Sequence, residues 1–143
     1  MNEQKNKSEL SLAQWQTCVE MANSISQRRD TTNNLFVTLN IALITAISFI
    51  WDLKTIFLSI IGVIFCIIWI LLINNFKQLN KEKFAVISDI ERDFAHKPFY
   101  DEWELLKCNE KYRDSTKIER ALPIVFILVY IIIFFIIFFT KQI

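Results

Sequence analysis

The stretch "ALPIVFILVYIIIFFIIFF" (residues 121–139) constrains this chain most. It carries no charge, and Tyr130 is its only side-chain hydroxyl. A helix built from it has no polar face to turn towards water. About 20 apolar residues are needed to cross roughly 30 Å of hydrocarbon, so the run reads as a transmembrane helix. Two further runs share that character. Residues 53–73 hold one charge, Lys54, at their outer end. Residues 35–50 are shorter and reach spanning length only with the uncharged stretch back to Thr31; a re-entrant or interfacial helix also fits them. The first apolar run begins only after a charged leader, which is not the pattern of a signal peptide.

The expected fold class is an all-α membrane protein with three transmembrane helices, two of them extended by long amphipathic cytoplasmic helices. One Gly and two Pro in 143 residues leave little to interrupt helix. The organisation that follows is a leader helix over 1–34, a membrane hairpin over 35–73 (spans 35–50 and 53–73), a cytoplasmic helical region over 74–120, a third span over 121–139 and an external tail at 140–143. "WDLKT" (51–55) is the tight link of the hairpin, with Trp51 at headgroup level. Ten of the 16 Lys and Arg residues lie in 74–120, and Lys5, Lys7, Arg28 and Arg29 lie in the leader. The positive-inside rule therefore puts the N-terminus and 74–120 in the cytoplasm and the C-terminus outside.

Helix signals add detail. Ser11 with Gln14 has capping-box spacing, and Leu10 with Trp15 can close a hydrophobic staple. The leader either runs straight into the first span or bends at residues 30–34. The second span has no break before Pro98 and should project into the cytoplasm as one helix. Asp101 with Glu104, and Thr116 with Glu119, repeat the capping-box spacing. Pro123 either kinks the third helix or marks a restart at Leu122 or Pro123.

Chemistry is sparse. His96 is the only histidine and sits near Pro98 in an expected turn; Cys18, Cys66 and Cys108 are scattered without a metal-ligand spacing. With one glycine, a phosphate-binding loop or nucleophile elbow has no basis. No enzyme activity, cofactor or metal is expected. Lysines near the membrane suit anionic headgroups, and acidic neighbours nearly cancel them, so no nucleic-acid partner is expected.

What remains is packing. On a helical wheel Asn34, Thr38, Thr45 and Ser48 share one side with Ile41, while Asn40 points well away. These five polar residues are candidates for an oligomer contact or a pore wall, unless Thr and Ser simply bond to their own helix carbonyls. Thr55, Ser59, Gly62 and Cys66 make a stripe of small residues that lets another helix approach, the last three being the candidates for helix packing. The third span has neither feature and reads as lipid-facing. Asn40 should bond across a helix interface, Lys83 should pair with an acidic residue of a neighbour such as Asp89 or Glu82, and Arg28 and Arg29 should anchor at headgroups.

"ISQRRDTTNNLFVTLNIAL", "FKQLNKEKFAVISDIE", "KPFYDEWELL" and "YRDSTKIERALPIVF" resemble the RipA family of small bacterial octameric membrane proteins. The residues that carry the resemblance are Arg28, Asn33, Phe36 and Asn40, then Leu79, Asn80, Lys83 and Phe84, then Pro98, Trp103, Tyr112, Thr116, Glu119 and Pro123. The resemblance implies an inner-membrane homo-octamer without enzymatic chemistry. The chain is also similar, more distantly, to the pore-forming accessory membrane protein of RNA-targeting CRISPR systems. Together these imply a membrane pore, with a role in stress or antiviral defence. The alternatives are a non-conducting scaffold that recruits a soluble cytoplasmic partner through 74–120 and, last, a lipid-modifying enzyme using His96 or an interfacial carboxylate. Expected partners are other copies of the chain and membrane lipid.

Overall fold

The computed structural model describes residues 2–50, 54–108 and 115–140, with side chains from Asn6 onward. Four helices make up these residues: α1 (Asn2–Ile50), α2 (Lys54–Glu91), α3 (Pro98–Cys108) and α4 (Ser115–Thr140). No strand occurs among the described residues. The chain is an all-α, multi-pass membrane protein: α1, α2 and α4 are each long and apolar enough to cross a membrane. Trp51, the 51–53 part of the hairpin link, Tyr112 and the tail from 141 lie outside the described residues.

α1 is one helix of 49 residues, so no bend interrupts residues 30–34. It already begins at Asn2, which places Ser11 inside the helix instead of at its cap; the Ser11 hydroxyl donates to the Lys7 carbonyl one turn back. α2 is likewise continuous over 38 residues. α4 runs through Pro123 without restarting. The ring of Pro123 is buried among other helices, whose packing holds the turns on either side despite the missing backbone donor.

The chain divides into two compact units. One comprises residues 1–28 and 76–113. Here the first part of α1 packs antiparallel to the last part of α2, with Ala22, Ile25 and Ile87 buried. Glu91 organises this unit. Its side chain is fully buried and accepts hydrogen bonds from the Trp15 indole (3.1 Å) and from the backbone N–H groups of Phe99 (3.3 Å) and Tyr100 (3.1 Å). A carboxylate at the first N–H groups of a helix satisfies donors that have no partner within it and meets the positive end of its dipole. Glu91 thus caps α3 from a distance. Asp101 and Glu104 do not cap it: α3 starts at Pro98, the Asp101 N–H bonds to the Lys97 carbonyl, and Glu104 pairs with Lys107. Trp15, expected to staple onto Leu10, instead lies against Phe94 and Phe99, and Phe84 also meets Phe99.

The other unit comprises residues 29–75 and 114–143 and holds the spans. Buried positions recur at three- and four-residue steps along α2 (Thr55, Ser59, Gly62, Cys66, Trp69, Ile73) and at sevens along α4 (Thr116, Pro123, Tyr130, Ile137). Such spacing is the seam of helices packed along their length. Contacts from α1 to α4 repeat at a separation of 90 residues, at Arg29–Glu119 and Asn40–Tyr130, so these two helices run in the same direction. α2 runs against both, pairing Trp69 with Asn33 and Cys66 with Asn40.

Candidate functional site

Two polar layers cross the three-span unit, with an aromatic layer between them. The first gathers around Glu119. The Arg29 guanidinium donates two hydrogen bonds to its carboxylate (2.7 and 2.6 Å), and the Asn33 amide donates a third (3.2 Å). Arg29 also reaches the Thr116 hydroxyl, while Asn33 accepts from the Trp69 indole at 2.8 Å. Arg120 bonds to Asn74 in the same layer. The sequence places Arg29 at the headgroups and pairs Glu119 with Thr116 as a cap. In the structure the Arg29 guanidinium takes the Glu119 carboxylate, whose two oxygens match its fork. Both side chains of the pair are largely covered.

Next come Phe36, Trp69 and Phe126, with Phe36 stacked on Trp69 at 5.7 Å and 10° between ring planes. Beyond them Asn40 forms the second polar layer. Its amide donates to the Phe36 carbonyl (2.8 Å), and its side-chain oxygen accepts from the Tyr130 hydroxyl (2.9 Å) and the Cys66 thiol (3.3 Å). The primary amide is therefore satisfied within one chain, by all three spans. Grouped by residue type with pore-facing candidates, Asn40 is instead fully buried and offers nothing to an axis or a neighbour. α4 is also not simply lipid-facing, since Tyr130 is buried beside Asn40.

The small-residue stripe makes this possible. Ser59, Gly62 and Cys66 are buried inside the unit, and Gly62 lies under the Tyr130 ring. A Cβ on Gly62 would fall within 3.0 Å of three ring atoms, closer than carbon atoms pack.

The remaining polar candidates behave differently. Asn34, Thr38, Thr45 and Ser48 are exposed along one side of α1, together with Ile41. Thr38 donates to the Asn34 carbonyl (2.9 Å), Thr45 to Ile41 (2.8 Å) and Ser48 to Ile44 (3.0 Å). Each hydroxyl proton is thus held by the helix itself, and the oxygen lone pairs face outward. Over residues 56–73 of α2 and 121–139 of α4 the outward surfaces are apolar by contrast, for example Phe57, Ile64 and Leu71 on α2 and Leu128, Ile132 and Phe135 on α4.

Along residues 12–139 the chain matches the octameric membrane protein family. It belongs to that family. The matched stretch contains all three spans, the Glu119 and Asn40 layers and Glu91. No curated protein and no solved structure matches the chain.

Other family-pattern residues have packing positions. Asn33, Phe36, Thr116 and Pro123 lie in the span unit as described. Leu79, Phe84, Pro98 and Trp103 are exposed, Asn80 is half-buried, and Arg28 is exposed. Among the described residues no acidic side chain forms an ion pair with Lys83; its ammonium lies 3.6 Å from the Met21 sulfur, and Asp89 pairs with Arg92. His96 is exposed. Among the described residues no group of three or more His, Cys, Asp or Glu side chains is placed to hold a metal.

Sequence reasoning missed Glu91, Arg29 and Trp69 as organising residues. A signal existed for Glu91. It recurs on the apolar stripe of α2 four residues after Ile87, where a carboxylate has to be paired.

Proposed function

We propose that the chain assembles into a ring of about eight copies in the bacterial inner membrane, N-terminus inside and C-terminus outside. The α1 face of Asn34, Thr38, Ile41, Thr45 and Ser48 then lines a central pore. The observation that carries this reading is the exposure of that face on a membrane-crossing helix whose companions expose only apolar side chains over residues 56–73 of α2 and 121–139 of α4. Lipid gains nothing from such a face, and water does. Family membership supports the octamer. The pore compromises membrane integrity when open, which suits a role in stress or antiviral defence.

Electron microscopy of the purified protein tests the ring, and planar-bilayer recording tests the pore. In a variant with Cys18, Cys66 and Cys108 replaced, Thr45→Cys should let a water-soluble cationic thiol reagent reduce the current. Leu128→Cys, on the apolar outside of α4, should leave the current unaffected. Rings that never conduct would refute the pore and favour the scaffold that recruits a soluble partner through 74–120.

A further inference from the structure

The polar side of α1 does not stop at Asn34. At roughly 100° per residue, Asp30 shares an arc of about 80° with Asn34, Thr38, Ile41, Thr45 and Ser48, and like them it is exposed. Among the described residues no ion pair neutralises it. The other described charges of the span unit lie off this side. Arg29 is turned by roughly 100° from Asp30 and is held by Glu119. Arg120 bonds to Asn74 of α2, with its Nε buried. Lys117 is exposed, but it lies about 160° round α4 from Glu119, the residue by which α4 meets Arg29 of α1. Lys54 starts α2 at the opposite end of the spans. The rise along α1 from Asp30 to Ile50 is about 30 Å, several times the roughly 8 Å over which physiological salt screens a charge. Arg28, on the same helix, lies about 160° from Asp30.

We infer that the pore passes small cations in preference to anions, and that Asp30 selects them at its cytoplasmic mouth. This inference rests on the pore proposed above and names what goes through it. A ring of octameric order brings one carboxylate per copy to a single level of the axis. Rings of Asp or Glu select for cations, and walls of low dielectric focus their field along the channel. The wall beyond Asp30 has the same preference for a separate reason. Thr38, Thr45 and Ser48 give their hydroxyl protons to carbonyls of α1. What they turn outward is therefore oxygen lone pairs, which can replace water around a cation and offer an anion no donor. The Asn34 amide carries both a donor and an acceptor, and Ile41 carries neither, so these two residues do not oppose the preference.

The test is planar-bilayer recording of the purified full chain with potassium chloride more concentrated on one side. The wild-type reversal potential should lie towards that of potassium. In Asp30→Asn it should move towards zero, a severalfold drop in the ratio of cation to anion permeability. A conducting wild type that passes chloride as readily as potassium would overturn the inference and leave the pore standing. Wild-type selectivity in Asp30→Asn would overturn it as well. Charge can also be added after assembly, so that folding does not enter. With Asp30→Cys in a variant whose Cys18, Cys66 and Cys108 are replaced, a negatively charged thiol reagent should raise the cation preference, and a positively charged one should lower it. The same selectivity after either reagent would overturn the inference. No current from the wild type would instead remove the pore itself, and this inference would fall with it.

Discussion

Gly62→Ala should destabilise the span unit through Tyr130 and through little else. The new Cβ falls within 3.0 Å of three Tyr130 ring atoms, and the ring cannot swing away without leaving Asn40. Overpacking of this kind costs about 1–3 kcal/mol, and a hydrogen bond inside a membrane adds about 0.6 kcal/mol. Replacing a mid-helix glycine by alanine returns about 1 kcal/mol, so the net loss is about 0.6–2.6 kcal/mol. A double-mutant cycle isolates the cause. Tyr130→Leu removes the three crowded ring atoms, and in that background Gly62→Ala should be neutral or slightly stabilising. The assay is unfolding in mixed micelles at increasing denaturing-detergent fraction, followed by tryptophan fluorescence. Equal losses from Gly62→Ala in both backgrounds would refute the claim that Gly62 exists to admit Tyr130.

Three further outcomes follow from the same contacts. Arg29→Met should cost about 2–4 kcal/mol, because it leaves a covered Glu119 carboxylate without its cation; adding Glu119→Met should recover most of that loss in the same unfolding assay, and a double variant as weak as the single would contradict the pairing. Glu91→Gln turns one accepting oxygen into an amide that faces the Tyr100 N–H, a loss of about 1–3 kcal/mol. Hydrogen exchange at Phe99 and Tyr100 should rise while exchange in the spans stays unchanged, and unaltered protection at α3 would count against the remote cap. Tyr130→Phe should cost about 0.6–1.5 kcal/mol without changing subunit number on a sizing column, since Asn40 lies inside one chain; a shift in oligomer size would place Asn40 at a subunit contact after all.

The capping boxes show where sequence reading went astray. All three had the right spacing, and at Ser11 and Asp101 no cap forms, because spacing states only that a bond can form. At Ser11 the helix had already begun nine residues earlier, and at the start of α3 the Glu91 carboxylate, brought in from elsewhere in the chain, takes the backbone donors. The wheel that separated Asn40 from Thr38 and Thr45 was sound, and it correctly implied two unlike environments for one helix. It gave no means of telling which environment was the interior.

The sequence by itself determined the three spans, the all-helical class and the continuity of α2, because these depend on run length, apolarity and the scarcity of Gly and Pro. It left the continuity of α1 open. Tertiary structure decided which polar groups meet. A buried amide or carboxylate needs partners, but chemistry alone names several. The parallel register of α1 and α4, 90 residues apart, brings Glu119 to Arg29 and Tyr130 to Asn40. Gly62 sets how closely α2 can stand to receive them. That register is a property of three helices packed together, and no single helix carries it.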